Sequence, residues 1–287
     1  LFKDGEADDV ILSGELAQQN ANDSAYKSFK EARTSYLEYN QRKADSPWKN
    51  ENLRKAVSYA INRKSLVNQV LGDGSVVSTG LVPSGMSKNP KTDEDFAKEA
   101  GKLAPYDKEK AKEYWDKAKK ELGIDELSFE LMASDTDSSK KVIEYIQGVL
   151  EDTLPGMTVK PTPVPFSVRL DRSNAGDFDV LLGGWGADYA DPSSFTDLFV
   201  TGNSYNRGRW SNEEYDKLVD ASGNKDASDE EARWEDLQKA NEIISKESGV
   251  APLYQLSEAH LVNEKVKGIV HHPAGASWDY KWTYVEE

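Results

Sequence analysis

Leu53, Ala56, Val57, Ala60 and Ile61 fall at i, i+3, i+4, i+7 and i+8, which lines one side of a helix. Asn62 interrupts the run and is placed to cap a second short helix. That helix carries Leu66, Val67, Val70 and Leu71 and is stopped by Gly72. A longer helix is expected after a cap at Asp107, through Ala111, Tyr114, Trp115, Ala118 and Leu122, ending at Gly123. Val142, Ile143, Ile146, Val149 and Leu150 mark another, closed by Pro155-Gly156. Two capping boxes, Ser211 with Glu214 and Ser228 with Glu231, are expected to open later helices. The second of these carries Trp234, Leu237 and Ile244.

Strands are predicted between these helices. Residues 34–40 alternate with a period of two, and 127–133 read the same way. The stretch 158–166 is β-like but holds three prolines, which confines it to a sheet edge. Residues 178–182 form the best buried-strand candidate, and 250–256 and 259–262 are strand-like. The opening to about Arg33 is polar with weak periodicity, and 80–85 reads as a loop. Helices alternating with strands predict an α/β fold.

Composition narrows the function classes. Aromatic residues make up 10% of the 287, too many for a disordered acidic tail. Lys and Arg number 36 against 51 Asp and Glu, and the resulting charge of −15 repels nucleic-acid phosphates and anionic membranes. There is no cysteine, hence no disulfide, thiolate catalysis or cysteine-held metal. Only His260, His271 and His272 are available as imidazole ligands, and neither a metal nor another cofactor is expected. No apolar run approaches the roughly 18 residues of a membrane span. The N-terminus has no signal sequence and reads like the interior of an element, so the chain is expected to be a piece of a longer one.

The most unusual stretch is Gly183-Gly184-Trp185-Gly186-Ala187-Asp188-Tyr189-Ala190-Asp191-Pro192. A buried strand ends there in small residues that let a ligand approach the backbone, and a Trp and a Tyr flank one carboxylate. Aromatic walls around a single charge suit a small cationic group. The competing reading is a turn in which Trp185 packs inward and Asp191 or Asp188 caps the residues from Ser193 onward. Other candidates read as surface or turn. The acids at Glu6, Asp8, Asp9, Asp135 and Asp137 lack calcium-loop spacing, and His271-His272 has no third ligand nearby. Ser84 lacks a nucleophile-elbow context, and Gly72-Asp73-Gly74 follows a helix instead of preceding one.

The segment from Leu53 to Arg63, Leu-Arg-Lys-Ala-Val-Ser-Tyr-Ala-Ile-Asn-Arg, resembles a signature of the peptide-type solute-binding proteins of ABC importers, oligopeptide-binding proteins above all. The resemblance continues through Gly80-Leu81-Val82-Pro83, Tyr106-Asp107 with Ala111, and Phe178-Asp179-Val180 into Gly184-Trp185-Gly186-Ala187-Asp188-Tyr189. It extends to Asn212 with Tyr215-Asp216 and Leu218, then Ala251-Pro252-Leu253-Tyr254. It implies a periplasmic-binding-protein-like lobe with a mixed sheet flanked by helices, plus remnants of a first lobe. Residues 1–37 would end the first lobe, 38–257 would form the C-terminal lobe that closes on the ligand, and 258–287 would return to the first. The crossings are expected near 37–40 and 256–259, with the N-terminal half, signal peptide and any lipid anchor missing.

The family further implies an extracytoplasmic, non-enzymatic protein that captures peptides and delivers them to ABC transporter permease subunits. By position, Asp188 would pair with the peptide's α-ammonium and Trp185 would line a side-chain pocket. The backbone at Gly186 and Ala187 would pair with the peptide strand, and Tyr189, Asn206 and Tyr254 complete the implied contact set. Leu182 and Gly183 depart from members with a basic side chain near the ligand's C-terminus. Within the family, a peptide-pheromone receptor or other small-solute binder is the alternative. From a different class, an acidic hydrolase with two carboxylates is the rival.

Overall fold

Six strands run side by side in the order β1-β7-β2-β6-β4-β5 in the computed structural model, which describes residues 1–103 and 105–286. They are β1 (Asp9–Leu12), β2 (Tyr26–Tyr39), β4 (Leu127–Ser134), β5 (Met157–Val164), β6 (Val180–Gly186) and β7 (Val250–Val262). The two-residue β3 (Val76–Val77) also pairs with β7. Strands β4, β5 and β6 are parallel, whereas β2 is antiparallel to both β6 and β7. The sheet is mixed, and the proline-bearing β5 lies at its edge, where absent N–H donors cost nothing.

Helices cover both faces. The first helix, α1 (Gly14–Asn20), precedes β2. After β2, α2 (Glu51–Ala60) starts at Asn50, whose side chain accepts from the Leu53 N–H. The short α3 (Arg63–Ser65) is capped by Asn62 as expected and continues as a π-helical segment, Leu66–Leu71. Gly72 ends it at φ +59°, the left-handed conformation glycine adopts without strain. Next come α4 (Phe96–Ala100), α5 (Lys108–Leu122) from its Asp107 cap, and α6 (Asp137–Thr153). After β5 come α7 (Phe166–Ala175), α8 (Ser193–Thr196), α9 (Glu213–Gly223) and α10 (Glu230–Lys246). The last two are capped by Asn212 and Asp229, one residue after the serines of the expected capping boxes. A carboxylate or amide one position closer to the first turn took the role.

Alternation along β2 sends Leu37 and Tyr39 to one core with α2, α5 and α6, and Tyr36 to a second core with α9 and α10. The arginines of the signature serve this frame. Arg54 donates to the Trp48 and Ser248 carbonyls, and Arg63, 2% exposed, donates to Pro252 on β7. The β2–β7 ladder shifts register between Lys30 and Thr34, with Leu256 alone opposite Glu31, Ala32 and Arg33. That bulge lies a few residues before the 37–40 crossing expected from sequence. Beyond it, toward the two termini, come β1, α1 and the short strands β8 (Val266–Lys267), β9 (Val270–His271), β10 (Trp278–Asp279) and β11 (Tyr284–Val285).

Candidate functional site

One edge of β6 is zipped to β2 from Val180 to Gly186, but the other meets β4 only at Val180 and Leu181. Among the described residues, 182–186 therefore has no ladder partner on that side. Main-chain groups alternate between the two edges of a strand. The Ala187 N–H donates to Ala32 O at 2.8 Å on the β2 side, and Ser35 Oγ donates to Gly183 O on that side too. Gly184 and Gly186 consequently present their N–H and C=O groups to the open edge, where an added strand can pair. Ala187, expected to contribute there as well, has neither group free, since its carbonyl accepts from the Gly275 N–H at 3.2 Å. Gly184 takes its place.

Asp188 stands just past this edge, exposed to solvent. Its N–H donates to Ser194 Oγ at 3.1 Å, and no donor among the described residues engages its carboxylate. Asp191 differs in every respect. Arg233 donates to both of its oxygens at 2.8 and 2.9 Å, and the Ser193 N–H donates to Oδ1. Burial pushes the Asp191 carboxyl up, but these bonds outweigh it and leave the group below its ordinary range. Of the two aspartates that could cap the turn, Asp191 does so, and Asp188 is free.

The walls are aromatic. Trp185 is half-buried, packs edge-on against Tyr205 at 4.8 Å, and leaves its buried Nε1 without a partner. Tyr189 and Phe166 are more than half exposed, and Tyr205 nearly so. Two expected contacts lie elsewhere. Asn206 is 1% exposed and donates to the Phe199 and Trp210 carbonyls, which fixes the loop carrying Tyr205 but keeps its own side chain from the surface. Tyr254 sits opposite Ser35, which sits opposite Gly184, so its side chain leaves the sheet on the face away from Trp185. It is buried in the core under α2 and α6.

A cationic cluster escaped the sequence reading. Glu38 on β2 is 2% exposed, and its Oε1 accepts from the Gly208 N–H at 2.6 Å while Oε2 has no partner. Burial pushes its carboxyl up to about 7, against the pull of the Gly208 N–H and of Arg207 and Arg42. Gly208 approaches β2 so closely that a Cβ would strike the Tyr39 carbonyl. Arg42 donates to the Arg207 and Asn174 carbonyls, Arg207 donates to the Asn174 side chain and lies over the Tyr205 ring, and Arg169 lies over Phe166. The only sequence signal was Pro165 ahead of Phe166 and Arg169, a helix start that the neighbouring prolines disguised.

Comparison with known proteins finds relatives along the whole chain. The sequence profile of the bacterial extracellular solute-binding proteins, family 5 (middle), matches residues 1–207. A dipeptide-binding protein of Lactococcus lactis subsp. cremoris is 39% identical over 296 residues, covering 100% of this chain and 54% of the relative. The structure of the pheromone receptor PrgZ, solved for its mode of peptide binding, superimposes with a TM-score of 0.88 at 42% identity, covering 100% of this chain and 55% of that one. A crystal structure of a peptide-binding protein of a peptide ABC transporter superimposes at 0.76 with 56% identity, covering 80% of this chain and 99% of that one. The chain spans about half the length of the curated relatives it matches.

Proposed function

The chain belongs to the bacterial extracellular solute-binding proteins, family 5, and on that footing we propose that it is the ligand-closing part of a protein that captures peptides outside the cytoplasm and delivers them to the permease subunits of an ABC importer. The observation that carries this reading is the open edge of β6 ending at a free carboxylate. A peptide laid along Gly184 and Gly186 gains main-chain bonds without its side chains being read. Its α-ammonium reaches Asp188, and Trp185, Tyr189 and Tyr205 wall the first side chain. The return loop at 273–275 lies beside Asp188 and closes the same end. Asn206 and Tyr254 act here as supports, with no ligand contact. The lobes cross at the bulge of residues 31–33 opposite Leu256, and the remainder of the longer protein supplies the other lobe and its signal peptide and anchor.

No catalysis is assigned. A hydrolase would need two carboxylates converging on the crevice, and both oxygens of Asp191 are committed to Arg233. The likeness to PrgZ supports a second reading within the family, a receptor for signalling peptides that uses the same crevice.

Calorimetry on the full-length protein with mixed short peptides tests the proposal. Closure of the two lobes on the ligand shields the pair of Asp188 and the α-ammonium from water, and losing one partner of a buried charge pair costs about 2–5 kcal/mol. Asp188→Ala should therefore weaken binding by roughly 30-fold or more, since about 1.4 kcal/mol is tenfold. N-acetylation of the peptide should do similar damage, and the two changes together should cost less than their sum. Equal binding of free and acetylated peptides would make Asp188 a turn residue and sink this assignment.

A further inference from the structure

The loop that brings Tyr205 against Trp185 is tied to β2 and the residues after it through Gly208. The Gly208 N–H donates to Glu38 Oε1 at 2.6 Å, and the Gly208 carbonyl accepts from the Gln41 N–H at 2.7 Å. A Cβ at Gly208 would strike the Tyr39 carbonyl, so the loop lies as close to β2 as a glycine allows. Arg209 follows at φ +61°, a conformation that a non-glycine residue rarely adopts unless its surroundings hold it. Asn206, fixed to the Phe199 and Trp210 carbonyls, carries the constraint back to Tyr205. The Tyr205 ring then meets Trp185 at 4.8 Å and the Arg207 guanidinium at 5.9 Å.

The acid at this junction is only half-satisfied. Glu38 Oε2 is buried without a partner among the described residues, and its ladder partners Leu181 and Val250 are apolar. The charged and titratable groups that face it are Arg207, Arg42 beyond the end of β2, Arg169 on α7 and Tyr36 on its own strand. Arg207 pulls on it more strongly than Arg42, yet its Nε donates to the Asn174 side chain instead. A neutral carboxyl tolerates a missing partner, whereas a buried carboxylate draws in a donor. We propose that Glu38 is a positioning residue of the peptide crevice: with its proton it holds the wall of Tyr205 and Trp185, and without it the carboxylate takes Arg207 from Tyr205 and slackens that wall. This rests on the peptide reading above. Burial pushes the carboxyl up to about 7, against the pull of the Gly208 N–H and of Arg207, so the two states exchange near neutral pH. Capture of peptides with a bulky first side chain therefore weakens as the pH rises through neutrality.

Calorimetry on the full-length protein with the peptides Tyr-Ala-Ala and Ala-Ala-Ala, from about pH 6 to about pH 8, tests it. Both peptides carry an α-ammonium, so the ratio of their affinities cancels its titration. In the wild type the preference for the tyrosine peptide should fall by about three- to tenfold over that range, because apparent affinity scales with the fraction of competent protein. Glu38→Gln keeps an acceptor for Gly208 but cannot ionise, and should hold the low-pH ratio throughout. Glu38→Ala should lower the ratio at every pH. A merely structural role would weaken both peptides alike and leave the ratio flat. The wild-type ratio decides the matter by itself should a variant fail to fold. A ratio that stays constant or rises with pH, or that falls equally in Glu38→Gln, overturns the proposal, and a retained preference for free over N-acetylated peptides then leaves the peptide reading standing. If that preference is absent too, the reading beneath it fails as well.

Discussion

Strand β2 passes through two environments in fourteen residues, and the contrast separates what pairing does from what covering does. From Thr34 to Tyr39 every residue is buried, because helices lie on both faces. From Tyr26 to Lys30 the same strand keeps its ladder with β7, yet Lys27, Ser28 and Lys30 are exposed and the Phe29 ring packs on His260, His271 and Trp278. Among the described residues no long helix covers this half, and Ile11, Leu16, Tyr280, Trp282, Tyr284 and Val285 stand more than half exposed. Hydrogen bonds hold the register in both halves, but only apolar burial gives one of them a core.

The largest break in this comparison should come from Leu37→Ala, at a position 1% exposed. Urea unfolding should show a loss of about 2–5 kcal/mol, and a loss under about 1 kcal/mol would mean that the covered half does not carry the stability. Next comes Glu38. Its folded carboxyl is raised from 4.5 to about 7, so its contribution is fully present below about pH 4.5 and is lost as the pH rises through about 7. That loss amounts to roughly 3 kcal/mol at most. Stability measured from pH 5 to pH 8 should fall, and Glu38→Gln should flatten the fall and be the more stable protein at pH 8. An unchanged slope in that variant would move the titration elsewhere.

Hydrogen exchange sharpens the same contrast at smaller amplitude. Amides of residues 26–30 and of the two-residue strands β8 to β11 should exchange at least about tenfold faster than those of 34–39, which is about 1.4 kcal/mol of extra opening. Uniform protection would show that the half without helices is stabilised by something other than packing. Smallest of all, Ile11→Ala, at 63% exposure, should change unfolding free energy by less than about 0.5 kcal/mol. A larger change would reveal burial at that site in solution.

How much of this was readable beforehand follows the same division. Helices with a continuous apolar stripe, α2, α5 and α6, and the caps at Asn62 and Asp107 were legible because pattern and cap agree there. The first half of β2 was not, since Lys27, Ser28 and Lys30 carry no period-two apolar signal once one face lacks a core. The segments 250–256 and 259–262 were read as two strands and form one, because Ser257 and Glu258 are polar residues inside a continuous ladder. At the end of β6, Asp188 and Trp185 were picked out by their neighbours, and the structure sets both beside the open edge. Tyr254 was expected there and faces away, because its facing depends on a ladder register that local sequence does not encode. Arg169 and Glu38, 131 residues apart, meet only through the fold.

Three main-chain bonds link the end of β6, the β2 bulge and the return loop. Ala187 donates to Ala32, Ala32 donates to Pro273, and Gly275 donates to Ala187. None of the three uses a side-chain atom, and two of the residues are already alanine, so truncating side chains to alanine leaves these bonds untouched. The link among the end of β6, the bulge and the return loop is then invisible to alanine scanning and free to persist through sequence drift. Only a change to the backbone itself, such as proline at Ala32 or Ala187 or an ester in place of either amide, makes it audible.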